Sequence, residues 1–265
     1  MKSHELKLER AREHLISLQT RIQAFLDSDP YDQIAQQYQR PAETILVVLH
    51  LKKRFELPVV LPLIVGDTIY NMRSALDHLA YGLAAAHASA TGRSLDVDLV
   101  NFPLHIDGGA FSEKGAGTRA ISQMSPDVQR IIKAMQPHLA GDKAGEHPLG
   151  VLNKLSNMDK HRHLVFTGYA EIAQQITLLP ESQDCEIVGL SSEVRIGPFD
   201  DHTDVARVLI RVTGPKPQPK LDTYITIDIS FPETGPAAGK LVLKELERLY
   251  LHIKKEVFPA LEPHL

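Results

Sequence analysis

The sequence predicts an α+β protein: a helical, bundle-like core of about five helices, an appended antiparallel β-sheet and a C-terminal helix. Three observations predict it. Apolar residues recur at helical spacing through most of residues 1 to 163. From 164 to 231 the texture changes to β-branched runs separated by turn residues, and a last amphipathic stretch covers 240 to 258. Helices, then strands, then one helix is the order of α+β folds, not of alternating α/β ones. The implied organisation is a helical part over 1 to 163, with one strand near 44 to 51, and a β part with its helix over 164 to 265. The two are expected to pack as one unit.

The elements follow in chain order. Residues 4 to 27 place Leu6, Leu8, Ala11, Leu15, Leu18, Ile22 and Leu26 on one helical face, with Lys, Arg and Glu between them. Asp27-Ser28-Asp29-Pro30 ends that helix, and a short helix is expected near 31 to 39. The run TILVVLHL over 44 to 51 is β-branched and reads as a strand. A long helix runs from 61 to about 88 and stops before Gly92. Loops follow to 118, with a fixed point at Asn101-Phe102-Pro103. Ser125-Pro126-Asp127 caps a helix near 125 to 135, and another covers 148 to 158. Five runs then read as a meander: HLVFTGY, QITLLP, CEIVGL, ARVLIRVTG and TYITIDISF.

Bulk composition narrows function. Of 265 residues 43% are hydrophobic and 23% charged, enough to build a sizeable core. A net charge of -4 gives no global basic field for nucleic acid and leaves only a local patch. Cys185 is the only cysteine, so no disulfide closes within the chain, which fits a reducing compartment. The charged start MKSHELKLERAREHL lacks the apolar run of a signal peptide, and LPVVLPLIV is about half a membrane span. The expectation is a cytoplasmic protein with no membrane partner.

The helix over 61 to 88 holds the candidate site. Stepped at 100° per residue, Leu61, Val65, Ile69, Met72, Leu76, Leu79, Ala80 and Leu83 form one apolar arc. Asp67, Tyr70, Asn71, Ser74, His78 and Tyr81 form the opposite one, bordered by Arg73 and Asp77 at ion-pair spacing. No Lys or Glu occurs between Glu56 and Glu113. Short polar groups suit close packing, so the stripe is expected to be buried or to floor a cleft. Buried polar groups need partners. Asn153, Ser156, Asn157, Asp159 and His161 are the segment expected to face it, and Lys160, Arg162 and His163 could add a local anion site. Asp77, His78, Asp159, His161 and His163 are also possible metal ligands, although no compact motif such as HExxH joins them. The glycines at 108, 109, 115 and 117 are too scattered for a phosphate loop, so no cofactor is expected.

GDTIYNMRSALDHLAYGLA, NFPLHI and HPLGVLNKLSNMDKHRHL occur in order. They resemble a broad bacterial family whose members share an N-x-RSALDHL helix, an FP loop and an N-x-DKHR segment. That resemblance implies grouping and no activity. Arg73-Ser-Ala-Leu-Asp-His78 also resembles the R-x4-H motif of the HEPN superfamily of helical, usually dimeric ribonucleases. It implies His78 as general base on a 2′-hydroxyl and Arg73 on the phosphate, without metal. The chain departs from that pattern at Ser74, where Asn, Asp or His is usual. Five residues also span about 140° of helix, so a shared site needs a bend or a second subunit. Three readings stay open: a metal-independent ribonuclease working as a homo-oligomer on RNA, a non-enzymatic binding or structural protein with a buried polar network, and a divalent-metal protein. The site set is Asn71, Arg73, Asp77 and His78 for catalysis, with Asn157, Asp159, Lys160, His161 and Arg162 for binding.

Overall fold

The first helix lays one face against a second, longer helix, and that pair organises the rest of the fold. In the computed structural model, residues 2–161, 167–182, 184–192, 195–197, 203–214 and 219–265 are described. Helix α1 spans Ser3–Leu26 and buries His4, Leu8, Ala11, Leu15, Leu18, Ile22 and Phe25. Leu6, expected on that face, is exposed, and His4 takes the first buried position instead. The strands β1 (Tyr31–Arg40) and β2 (Thr44–Lys53) follow as a hairpin. Then comes α2 (Val60–Thr91), which ends at Gly92 with φ 67°, a left-handed position suited to glycine.

The expected helix at 31 to 39 is corrected: it is β1, paired with β2 along its whole length. Its Ala and Gln residues carry no strand signal of their own. Pairing with the apolar β2 decides the conformation, as neighbours often do for strands. Residues 1 to 163 therefore hold two strands, not one. The hairpin also joins the later β region, because β2 pairs with β6.

Short helices α3 (Ala116–Ala120) and α4 (Pro126–Ala134) lead to α5 (Pro148–His161). Ser125 caps α4, its hydroxyl accepting from the Val128 N–H at 3.4 Å. The strands β3 (Thr167–Leu178), β4 (Cys185–Ser192), β5 (Arg195–Gly197), β6 (Thr203–Val212) and β7 (Leu221–Ser230) complete two antiparallel sheets. Their orders are β1-β2-β6-β4 and β5-β3-β7, so the expected meander is also corrected. One reason is that β3 absorbs two of the predicted runs across an irregularity between Ile172 and Ile176.

The chain closes with α6 (Val242–His252), a π-helical turn over Ile253–Val257 and α7 (Phe258–Leu261). Leu246, Leu249, Ile253, Val257 and Leu261 bury themselves against α1, α2 and α5 in the larger core. Ile45, Val47, Val205, Val208 and Ile210 centre a second core between the sheets. The result is the predicted α+β class, with the helical layer holding the candidate site. Among the described residues no helix is long and apolar enough to cross a membrane.

Candidate functional site

The polar stripe of α2 is not buried as a whole. Asn71 is buried and Arg73, Ser74 and Asp77 are half-buried, whereas Asp67, Tyr70, His78 and Tyr81 face solvent. Leu63 and Val59 extend the exposed line toward the helix start. The absence of Lys and Glu therefore does not reflect full burial; of the two expected alternatives, burial fails for the whole stripe, while Asp77, His78 and Tyr81 line a groove. The stripe divides into three stations along the helix.

At the first, α5 approaches closely. Asp159 lies against Gly66, where an added Cβ would stand 2.5 Å from its Oδ1. Burial pushes the Asp159 carboxyl above its ordinary pKa, and the neighbouring Asp67 adds to this. Asn71 Nδ2 donates to the Asp67 carbonyl at 2.8 Å, a bond within the helix. Of the expected facing segment, Asp159 meets α2. Ser156 is buried, and Asn157 and Lys160 are exposed. The His161 side chain, Arg162 and His163 lie outside the described residues.

At the second station Arg73 and Asp77 form a latch on the Asn101-Phe102-Pro103 loop. Arg73 Nη2 donates to Asp77 Oδ1 at 2.9 Å and to the Phe102 carbonyl at 2.7 Å. The Phe102 N–H returns a bond to Asp77 Oδ1 at 3.0 Å. Phe102 itself is fully buried. Gln136 repeats the device one step along, its Nε2 donating to the Pro103 carbonyl at 3.0 Å. Burial lowers the Arg73 pKa, and Asp77 works against that shift. Arg73 Nη1 is buried without a hydrogen-bond partner among the described residues.

The third station is open. His78 Nδ1 lies 2.5 Å from Ser3 Oγ at the start of α1. These two line a surface groove of about 750 Å³ with Lys2, Asp77, Tyr81 and Leu265. If Nδ1 carries the proton and donates it to Ser3, the Nε2 lone pair is left for a substrate. About eleven residues of helix, roughly 16 Å, separate His78 from Asp67 and hence from the Asp159 contact.

No protein-family profile matches the chain, and neither does any curated protein or solved structure.

The geometry therefore decides which sequence candidates share a place. Arg73 and Asp77 meet each other and the loop. His78 belongs to a different neighbourhood, shared with Ser3 and Lys2. Of the suggested metal set, Asp77 and His78 border one groove, Asp159 lies apart from them at the Gly66 contact, and the His161 side chain and His163 lie outside the described residues. Among the described residues the group with metal-ligand spacing is His4, Glu5 and Glu262. Sequence reasoning missed Ser3, Lys2, His4 and Glu262. A signal existed for one of them, since His4 heads the apolar series 4, 8, 11, 15, 18 and 22. Ser3 is 75 residues from its partner and carries no local signal.

Proposed function

We propose that the His78 groove is an acid–base site acting on RNA, a HEPN-like ribonuclease that needs no metal for its chemistry. The observation that carries this reading is the solvent-facing His78, oriented through Nδ1 by Ser3 and bordering a groove with Lys2. Neutral His78 removes the 2′-hydroxyl proton through Nε2. The 2′-oxygen attacks the adjacent phosphorus, and the 5′-oxygen leaves with a proton. The products are a 2′,3′-cyclic phosphate and a 5′-hydroxyl. The proton for the leaving group comes from a protonated His78 of a second copy, apposed through the exposed α2 stripe. Leu63, Tyr70 and Tyr81 give that face apolar surface, and Lys7 Nζ lies over the Tyr70 ring, 5.7 Å from its centroid. Lys2 supplies the cation beside the groove, because Arg73 is committed to Asp77 and Phe102.

A second reading, a binding protein without catalysis, is favoured by that same commitment: one arginine of the R-x4-H pair already has structural work. The two separate on His78→Ala. Cleavage of single-stranded RNA in EDTA, read by gel and by the cyclic-phosphate end, should fall by about 10²- to 10⁴-fold. Melting temperature should stay near that of the parent, since His78 is exposed. Unchanged cleavage, or none in the parent protein, removes the ribonuclease reading and leaves the binding one.

A further inference from the structure

We propose that His4, Glu5 and Glu262 form a binding site for a divalent transition ion of the zinc class, joining the first turn of α1 to the segment after α7. The proposal does not rest on the ribonuclease reading, although His4 also lines the groove that holds His78.

The three side chains offer one imidazole nitrogen and two carboxylates, with ligand atoms all within 4.8 Å of one another. Two donors on one zinc ion, each about 2.1 Å away, stand roughly 3–4 Å apart. His4 Nε2 and Glu262 Oε1 are already 3.1 Å apart. A small rotation of the carboxylates brings the full set to ligating distance.

Each ligand is held for this. His4 is 3% exposed, so its ring is fixed by packing. Phe258 meets that ring edge-on, with centroids 4.9 Å apart at 82°. This contact turns Nε2 toward Glu262 and away from the core. Glu5 accepts from the Lys2 backbone N–H at 2.5 Å, which holds its carboxylate over the first turn. Glu262 stands at the head of the short helical turn Glu262–His264.

The charges point to a cation. A protonated His4 would neutralise one carboxylate, as in a plain ion pair with Glu262. Glu5 then remains a second, uncompensated negative group in the same cluster. No Lys or Arg forms an ion pair with either glutamate among the described residues, although Lys254 lines the adjoining groove with them. One divalent ion with neutral His4 balances both carboxylates. The imidazole favours zinc over calcium or magnesium, which prefer all-oxygen shells. With three protein ligands the fourth position opens to that groove, where water can enter.

The consequence is a clamp between residues 258 positions apart. An ion bound only in the folded state stabilises it, and does so more at higher concentration. Ser3 precedes His4 directly, so the ion would also order the turn that carries the Ser3 hydroxyl.

The test uses the full chain made without a histidine tag and stripped with EDTA. Zinc chloride is titrated in by calorimetry, and melting is followed with and without zinc. The expected result is one equivalent bound and a zinc-dependent rise in Tm. Glu262→Gln, at a partly exposed position, should weaken affinity by more than about tenfold and abolish the rise. Glu5→Gln should act in the same direction, and His78→Ala should change neither. Zinc that binds the parent and Glu262→Gln alike, or fails to bind at one equivalent, overturns the site.

Discussion

Arg73 and His78 stand five residues apart on one helix, yet they occupy opposite kinds of surroundings. Arg73 is largely enclosed, with a side chain 17% exposed, and its Nη2 is divided between Asp77 and the Phe102 carbonyl. His78 is exposed, hydrogen-bonds the Ser3 hydroxyl and borders open space. The 240° side of α2, measured from Asp67, meets the Asn101-Phe102-Pro103 loop, and the 20° side meets the start of α1. Polar residues thus do two jobs on one helix. Those on the flank fix a loop, and the one facing outward is free to meet a ligand.

Substitutions can break or sharpen that contrast. Phe102→Ala should have the largest effect on stability, about 3–5 kcal/mol for an emptied aromatic site. Its Tm should fall on the order of 10 °C in a calorimetric scan. Asp77→Ala comes next. It leaves the Phe102 N–H and the Arg73 guanidinium short of a partner, a loss of about 1–3 kcal/mol by denaturant unfolding. If Asp77→Ala instead matches the parent in stability while RNA cleavage collapses, Asp77 belongs to the open station and not to the latch.

Smaller effects separate the other neighbours. Ser3→Ala should slow RNA cleavage by less than about tenfold, the scale of one neutral hydrogen bond, with Tm unchanged. Asp159→Asn should give the smallest change and a distinctive pH signature. A carboxyl whose folded pKa is raised holds its proton longer in the folded state, so stability falls as pH rises from the unfolded value through the folded one. Removing the charge should therefore raise Tm slightly at neutral pH. The difference should vanish in acid, below the ordinary carboxylate range. A Tm gain that persists in acid would point to packing and not to ionisation.

The helical half of the fold was legible because α1, α2 and α4 write their buried faces into a regular period. The class was legible because β-branched runs follow the helices. β1 was not, since YDQIAQQYQR draws its strand character from β2 and not from its own residues. Strand order was equally hidden, because pairing of β2 with β6 depends on contacts about 160 residues apart and not on local pattern. At the site, the Arg73–Asp77 pair could be read from its four-residue spacing. The absence of Lys and Glu along α2 suggested burial or a cleft floor, but the helix reaches solvent there with Asp, Tyr and His. The partners that define the open station, Ser3 and Lys2, come from the far end of α1. Only the antiparallel packing of α1 on α2 brings them beside His78.

Gly66 has no side chain, yet it sets how near α5 can come to α2. The Asp159 carboxylate occupies the space that a methyl group on Gly66 would need. The two positions draw on a single volume. A methyl group at residue 66 makes the exposed Asp159 carboxylate turn aside or give way to a smaller side chain, so a change at either position is felt at the other although they are more than ninety residues apart in the chain.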